Sequence, residues 1–181
     1  MRPIRVLDYD PAWPALFDAA RCELLALAAD RILAIEHIGS TAVAGLAAKP
    51  KIDLDAVLVD EAALAAVGAL LPSAGFQDHG DPYGEGRWPF TRDHDGYGLR
   101  LYLCTPENPA HRDRILFRDY LRAHPQRANE YQALKRHLAA EANGDWDIYT
   151  GGKSDFVAET LRLAAIEAER SPRRSFSCAE K

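Results

Sequence analysis

The sequence predicts an α+β fold, with a small mixed β-sheet flanked by helices and a helical C-terminal half. Three observations lead there. Short apolar and β-branched runs between residues 31 and 104, broken by Gly, Pro and Asp, read as strands. From about residue 109 onward the pattern is helical instead. Strand-type and helix-type segments are therefore segregated along the chain, which is the mark of the α+β class. At 181 residues the chain is long enough for one domain with its own core, expected over 1–170. The polar stretch 171–181 is expected to be a disordered tail.

In chain order, Asp10-Pro11 predicts a helix start, with an acid as cap and proline in the first turn. Trp13, Leu16, Phe17, Ala20, Leu24 and Leu27 then recur at helical spacing, leaving Arg21, Glu23 and Asp30 for solvent. RILAIEHI (31–38) reads as a strand ending at Gly39, followed by a Ser40-Thr41 turn and a loose loop to Pro50. KIDLDAVLV (51–59) alternates: Ile52, Leu54, Ala56 and Leu58 point one way, Asp53, Asp55, Val57 and Val59 the other. A short helix over 61–71 closes at Pro72, and a strand is expected near 76–79. Residues 79–98, rich in Gly, Asp, Pro and aromatics, are expected to form a hairpin or loop before a strand at 99–104. Helical segments then run to the His124-Pro125 break, from there to Asn143-Gly144, and finally over 153–169.

Composition narrows the function classes. With 22 basic and 27 acidic residues the net charge is −5, which does not indicate a nucleic-acid surface, although a local basic cleft is compatible with it. No run approaches a membrane span and the N-terminus lacks a signal-peptide core, so a cytoplasmic protein is expected. Cys22, Cys104 and Cys178 show no C-x-x-C spacing and read as reduced thiols, two packed and one in the tail. The six histidines show no zinc spacing with them. The tryptophans read as packing residues, with Trp88 the one placed to meet a ligand.

The chemistry centres on Asp53 and Asp55. An i, i+2 pair on a strand projects two carboxylates from one face with origins roughly 7 Å apart. Such groups share divalent cations, at about 2.0–2.1 Å for Mg²⁺, and metals so held stabilise attacking and leaving oxygens at phosphorus. The same pattern also occurs on strands whose polar face simply meets water. Gly39-Ser40 separates the readings. Ser40 lies thirteen residues before Asp53; the glycine lets backbone approach a phosphate while the serine hydroxyl and nearby amides hydrogen-bond it. Gly39 to Gly45 is not a P-loop, since five residues intervene and Leu46 follows.

A Gly-Ser turn followed by a paired-acid strand resembles the nucleotidyltransferase superfamily. More closely, HIGSTAVAGLAAKPKIDLD (37–55), YDPAWPALF (9–17), LFRDYLRAHP (116–125), EYQALKRHLA (130–139) and YTGGKSDFV (149–157) resemble the GrpB family of that superfamily. The resemblance implies a nucleotidyltransferase-type sheet. It also implies that Gly39 and Ser40 bind nucleotide phosphates and that Asp53 and Asp55 bind Mg²⁺ and catalyse. Lys49, Lys153, Arg118 and Arg122 are then candidate phosphate-binding cations. The chain departs from the family at Arg100-Leu101-Tyr102, where His-Leu-His is usual, and at Val43-Ala44-Gly45, where Val-Pro-Gly is usual. The superfamily's third acid has no clean match; Asp93 or Asp95 would have to supply it. Two functions follow: Mg²⁺-dependent nucleotidyl transfer from a nucleoside triphosphate to an unread acceptor, or binding of a nucleotide or phospho-ligand without turnover. A third is protein–protein contact through the helical half.

Overall fold

The computed structural model describes residues 3–81, 88–94 and 96–170. Asp95, Cys178 and the tail 171–181 lie outside the described residues. Five strands form one sheet: β1 (Ile32–Ile38), β2 (Lys51–Leu58), β3 (Gln77–Asp78), β4 (Trp88–His94) and β5 (Tyr97–Cys104), in the spatial order β1-β2-β5-β4-β3. β2 and β5 run parallel, and every other neighbouring pair is antiparallel. The sheet is therefore mixed, and the helices are α1 (Trp13–Ala28), α2 (Glu61–Leu70), α3 (Pro109–Ala123), α4 (Pro125–Glu141), α5 (Trp146–Gly151) and α6 (Ser154–Arg170).

Alternation along β2 sets the two faces. Ile52, Leu54, Ala56 and Leu58 are all but fully buried, in one cluster with Leu99, Leu101 and Leu103 of β5, Leu24 of α1 and Val67 of α2. Full burial of such side chains contributes about 1.5–3 kcal/mol each, so α1 and α2 are fixed by this face. The opposite face carries Asp53, Asp55 and Val57, and Asp55 and Val57 are buried as well. The C-terminal helices cover them: α3 reaches Asp55 through His111 and Arg114, and α4 reaches the Ser40 turn through Lys135.

Several local details depart from the sequence reading. α1 begins at Trp13, because Asp10 turns the chain first, its carboxylate accepting from Ala12 N. Beyond α2 the chain continues through Pro72 as a 3₁₀ turn (Leu71–Ala74) that ends on Gly75 in the left-handed region. Much of 79–98 is regular: β4 pairs with β5 from Trp88 opposite Leu103 to His94 opposite Tyr97. Cys22, expected inside, is exposed on α1, whereas Cys104 is buried. α5 was not anticipated; six residues are too few to show a helical period. Its N-cap is Asp145, whose carboxylate accepts from the amides of Asp147 and Ile148.

Candidate functional site

Gly39 ends β1 with φ +71° and ψ −170°, a conformation essentially reserved for glycine. A Cβ there would lie 2.7 Å from Asp53 Oδ2 and 3.2 Å from Asp53 Cβ, so the missing side chain is what lets the turn lie against the acid. Ser40 then opens a 3₁₀ turn (Ser40–Ala42), and its hydroxyl accepts a 2.9 Å bond from Lys135 Nζ. Lys135 also donates to Ala47 O, and Gln132 Oε1 accepts from Ala47 N at 2.8 Å. Residues 40–47 are thus fastened to α4. A two-way backbone bridge from Ala48 to Leu7 anchors the next residue.

Around Asp53 this turn encloses a small cavity of about 150 Å³, lined by Gly39, Ser40, Asp53 and five cationic side chains: Lys49, Lys51, Arg100, Lys135 and Lys153. Arg100 is the register partner of Asp53 across the parallel β2–β5 pair, which puts both side chains on one face. Two aromatic rings hold the lysine heads: Lys49 Nζ lies 4.2 Å from the Trp146 ring centroid, and Lys153 Nζ 4.2 Å from that of Tyr149.

Burial and mutual repulsion depress the lysines. Burial first, then Lys153 and Arg100, bring Lys49 down to about 7. Burial with Lys153, Lys49 and Arg136 brings Lys135 to about 7, and burial brings Lys153 to about 8 although Asp53 opposes it. Lys51 is lowered by burial and Arg100. Asp53 is raised by burial, against the pull of Arg100, Lys51 and Lys49. One carboxylate among five cations leaves an excess of positive charge in a poorly solvated cavity, and an incoming anion would relieve it.

Asp55, two residues along the same face, has a different setting. It is completely buried, and its Oδ2 accepts from His111 Nδ1 at 2.8 Å and Arg114 Nε at 2.9 Å. Arg114 also lies over the Tyr102 ring, 4.6 Å from its centroid. Asp55 Oδ1 and Arg114 Nη2 are buried without a hydrogen-bond partner among the described residues. Asp55, Cys104 and His111 offer atoms within 4.8 Å of one another, a spacing that suits a metal. Against that, Arg114 shares the Asp55 oxygen, and its positive charge would stand beside the ion.

The described side chains do not fit the Mg²⁺ pair that the resemblance implies. Two shared divalent ions would need both carboxylates turned to a common volume. Asp55 is committed to α3, and Asp53 stands among cations that would repel a metal. Asp93 does not supply a third acid here. It is exposed on β4 opposite Gly98 and faces Lys51, both side chains approaching the space that a Gly98 side chain would fill.

Of the sequence-derived residues, Gly39, Ser40, Asp53, Lys49 and Lys153 come together in one cavity. Arg118 and Arg122 do not line it. Arg118 is buried and donates to Glu36, His37 O and Asp119, and Arg122 donates through Nε and Nη2 to Ala42 O. His37 is a satisfied structural residue, bonded to Thr41 Oγ1 at 3.0 Å and stacked on Phe17, with burial taking it down to about 4. Trp13 is buried as expected, but Trp146 is exposed. Sequence reasoning missed Lys51, Lys135, His111 and Arg114. Lys51 had a signal in the alternation, being two residues before Asp53 and on its face; the others had none, since their partners lie 56 to 95 residues away.

The chain has recognisable relatives in sequence and in fold. The model of the GrpB family, described as GrpB protein, matches residues 3–163. A UPF0157 protein of Deinococcus radiodurans is 36% identical over 162 residues, 88% of this chain and 82% of that one. The UPF0157 protein YqkA of Bacillus subtilis is 33% identical over 159 residues, 86% of this chain, and the match spans only 46% of that protein. Among solved structures, conserved protein GrpB from Enterococcus faecalis superposes with a TM-score of 0.83 at 26% identity, covering 91% of this chain and 99% of that one. The chain belongs to the GrpB family.

Proposed function

We propose, for this member of the GrpB family, that the cavity around Asp53 binds the phosphate end of a nucleotide or related phospho-ligand without requiring a metal. The observation that carries this reading is the excess of cations: Lys49, Lys51, Arg100, Lys135 and Lys153 surround one carboxylate, Asp53. Lys49, Lys135 and Lys153 are held near the point of losing their protons, so an anion gains both charge neutralisation and hydrogen bonds there. The Gly39-Ser40 turn adds a close backbone approach and a hydroxyl. We place the protein in the cytoplasm, among phosphorylated metabolites. No helix among the described residues is long and apolar enough to cross a membrane, and Cys22 is an exposed free thiol.

A second reading is nucleotidyl transfer from a nucleoside triphosphate to an acceptor, with magnesium. It is favoured by the apposition of the Gly39-Ser40 turn to Asp53, the arrangement the resemblance predicted. One experiment separates the two: calorimetric titration of the four nucleoside triphosphates, with Mg²⁺ or with EDTA, on this chain and on Asp53→Asn. Phospho-ligand binding predicts affinity in EDTA that Asp53→Asn keeps or raises several-fold, because a like charge has left the anion site. Affinity that appears only with Mg²⁺ and vanishes in Asp53→Asn favours transfer and sinks the metal-independent reading.

A further inference from the structure

The cavity around Asp53 is too small for a whole nucleotide. Its volume of about 150 Å³ suits a phosphate group, whereas sites for drug-sized ligands run from roughly 300 to 1,000 Å³. A second and larger hollow adjoins it. A groove of about 1110 Å³ runs between the β4–β5 face and α6, and Arg100, Tyr131 and Lys153 line both spaces. Resting on the phospho-ligand reading, we infer that the ligand is a phosphate ester with a large, planar organic body, and that this body lies in the groove.

The chemistry changes along that path. Two cations, Arg100 and Lys153, stand at the junction, where the ester's charged end must cross. Beyond them Tyr102 from β5, Trp146 from α5, and Val157 and Leu161 from α6 supply aromatic and apolar surface, among polar side chains such as Asp147 and Thr150. Trp146 is 51% exposed, an uncommon setting for so large an apolar ring in a folded chain. Lys49 of the phosphate cavity lies over its ring, and Tyr131 is an aromatic side chain that lines both spaces. Aromatic faces beside a cationic cleft suit a ligand that is anionic at one end and flat at the other.

The test compares ATP with inorganic tripolyphosphate, without metal, on the full chain and on two groove variants. Ala158→Trp fills the groove from an exposed position on α6, and Leu161→Gln makes its wall polar. ATP is expected to bind about tenfold more tightly than tripolyphosphate. Ala158→Trp should abolish that advantage and Leu161→Gln reduce it, while both leave tripolyphosphate affinity as it was. Should tripolyphosphate bind and ATP gain nothing over it, the groove inference fails and the phosphate cavity stands. Should neither bind, the phosphate reading fails and takes this one with it. An ATP advantage that survives both variants also overturns the inference, because the body then lies elsewhere.

Discussion

Asp53 and Asp55 stand two residues apart on one strand and point to the same face of one sheet, yet their surroundings have little in common. Asp55 is sealed under α3, with His111 and Arg114 bonded to a single oxygen. Asp53 borders a cavity, beneath a glycine turn and among five cations. The first arrangement closes on itself, apart from Asp55 Oδ1 and Arg114 Nη2, which have no hydrogen-bond partner among the described residues. The second gathers more cationic than acidic side chains around its cavity, an imbalance that a ligand could satisfy. A pair of identical residues at strand spacing therefore divides into a structural acid and a ligand-facing one, and the division is made by the helices that cover them.

The comparison breaks most visibly in stability. Asp55→Ala takes a fully buried carboxylate from the half-buried Arg114, and removing one partner of a buried pair costs up to about 3–5 kcal/mol. Asp53 lines the cavity rather than packed core, so Asp53→Ala should cost less, about 1 kcal/mol. Urea unfolding of the two variants measures the difference directly, and equal losses would remove the distinction between the acids.

A smaller effect is expected at the turn. Gly39→Ala forces a side chain into a glycine-only conformation and against Asp53 Oδ2, which should cost about 1–3 kcal/mol. Anion affinity should fall with it, while the bonds from His111 and Arg114 to Asp55 stay in place. Thermal unfolding alongside a sulfate titration reads both; intact sulfate binding in a destabilised variant would detach the turn from the site.

The subtlest prediction concerns pH. Lys49 and Lys135 lie near 7 and Lys153 near 8, so affinity for sulfate, which stays fully ionised, should fall severalfold from about pH 6 to about pH 9. Binding near pH 8 should take up protons, visible as a dependence of the binding enthalpy on the buffer. Stability moves the other way. The folded lysines titrate below the unfolded value of about 10.4, so from about pH 7 to about pH 10 the unfolded chain holds more protons, and their contribution to stability rises with pH. A flat sulfate profile would remove the lysines from the anion site.

Much of this was legible in the chain because it is encoded locally. Alternation over KIDLDAVLV determined which side chains of β2 face the apolar core, since a strand's period of two assigns faces without reference to anything distant. Gly39 was legible because a turn against a strand leaves no room for a side chain, and the residues from Trp13 to Leu27 marked the first helix by spacing alone, although Asp10 and Pro11 set its start too early. What lies over the polar face was not written in any local period. Lys135 meets Ser40 across 95 residues, and His111 and Arg114 meet Asp55 across 56 and 59. Arg118 shows the converse: its motif suggested a ligand, but packing of α3 on β1 gave it Glu36 and the His37 carbonyl instead. Periodicity states that a face will be covered; only the packed helices decide by what, because a side chain's partners depend on where whole elements settle and not on its neighbours in sequence.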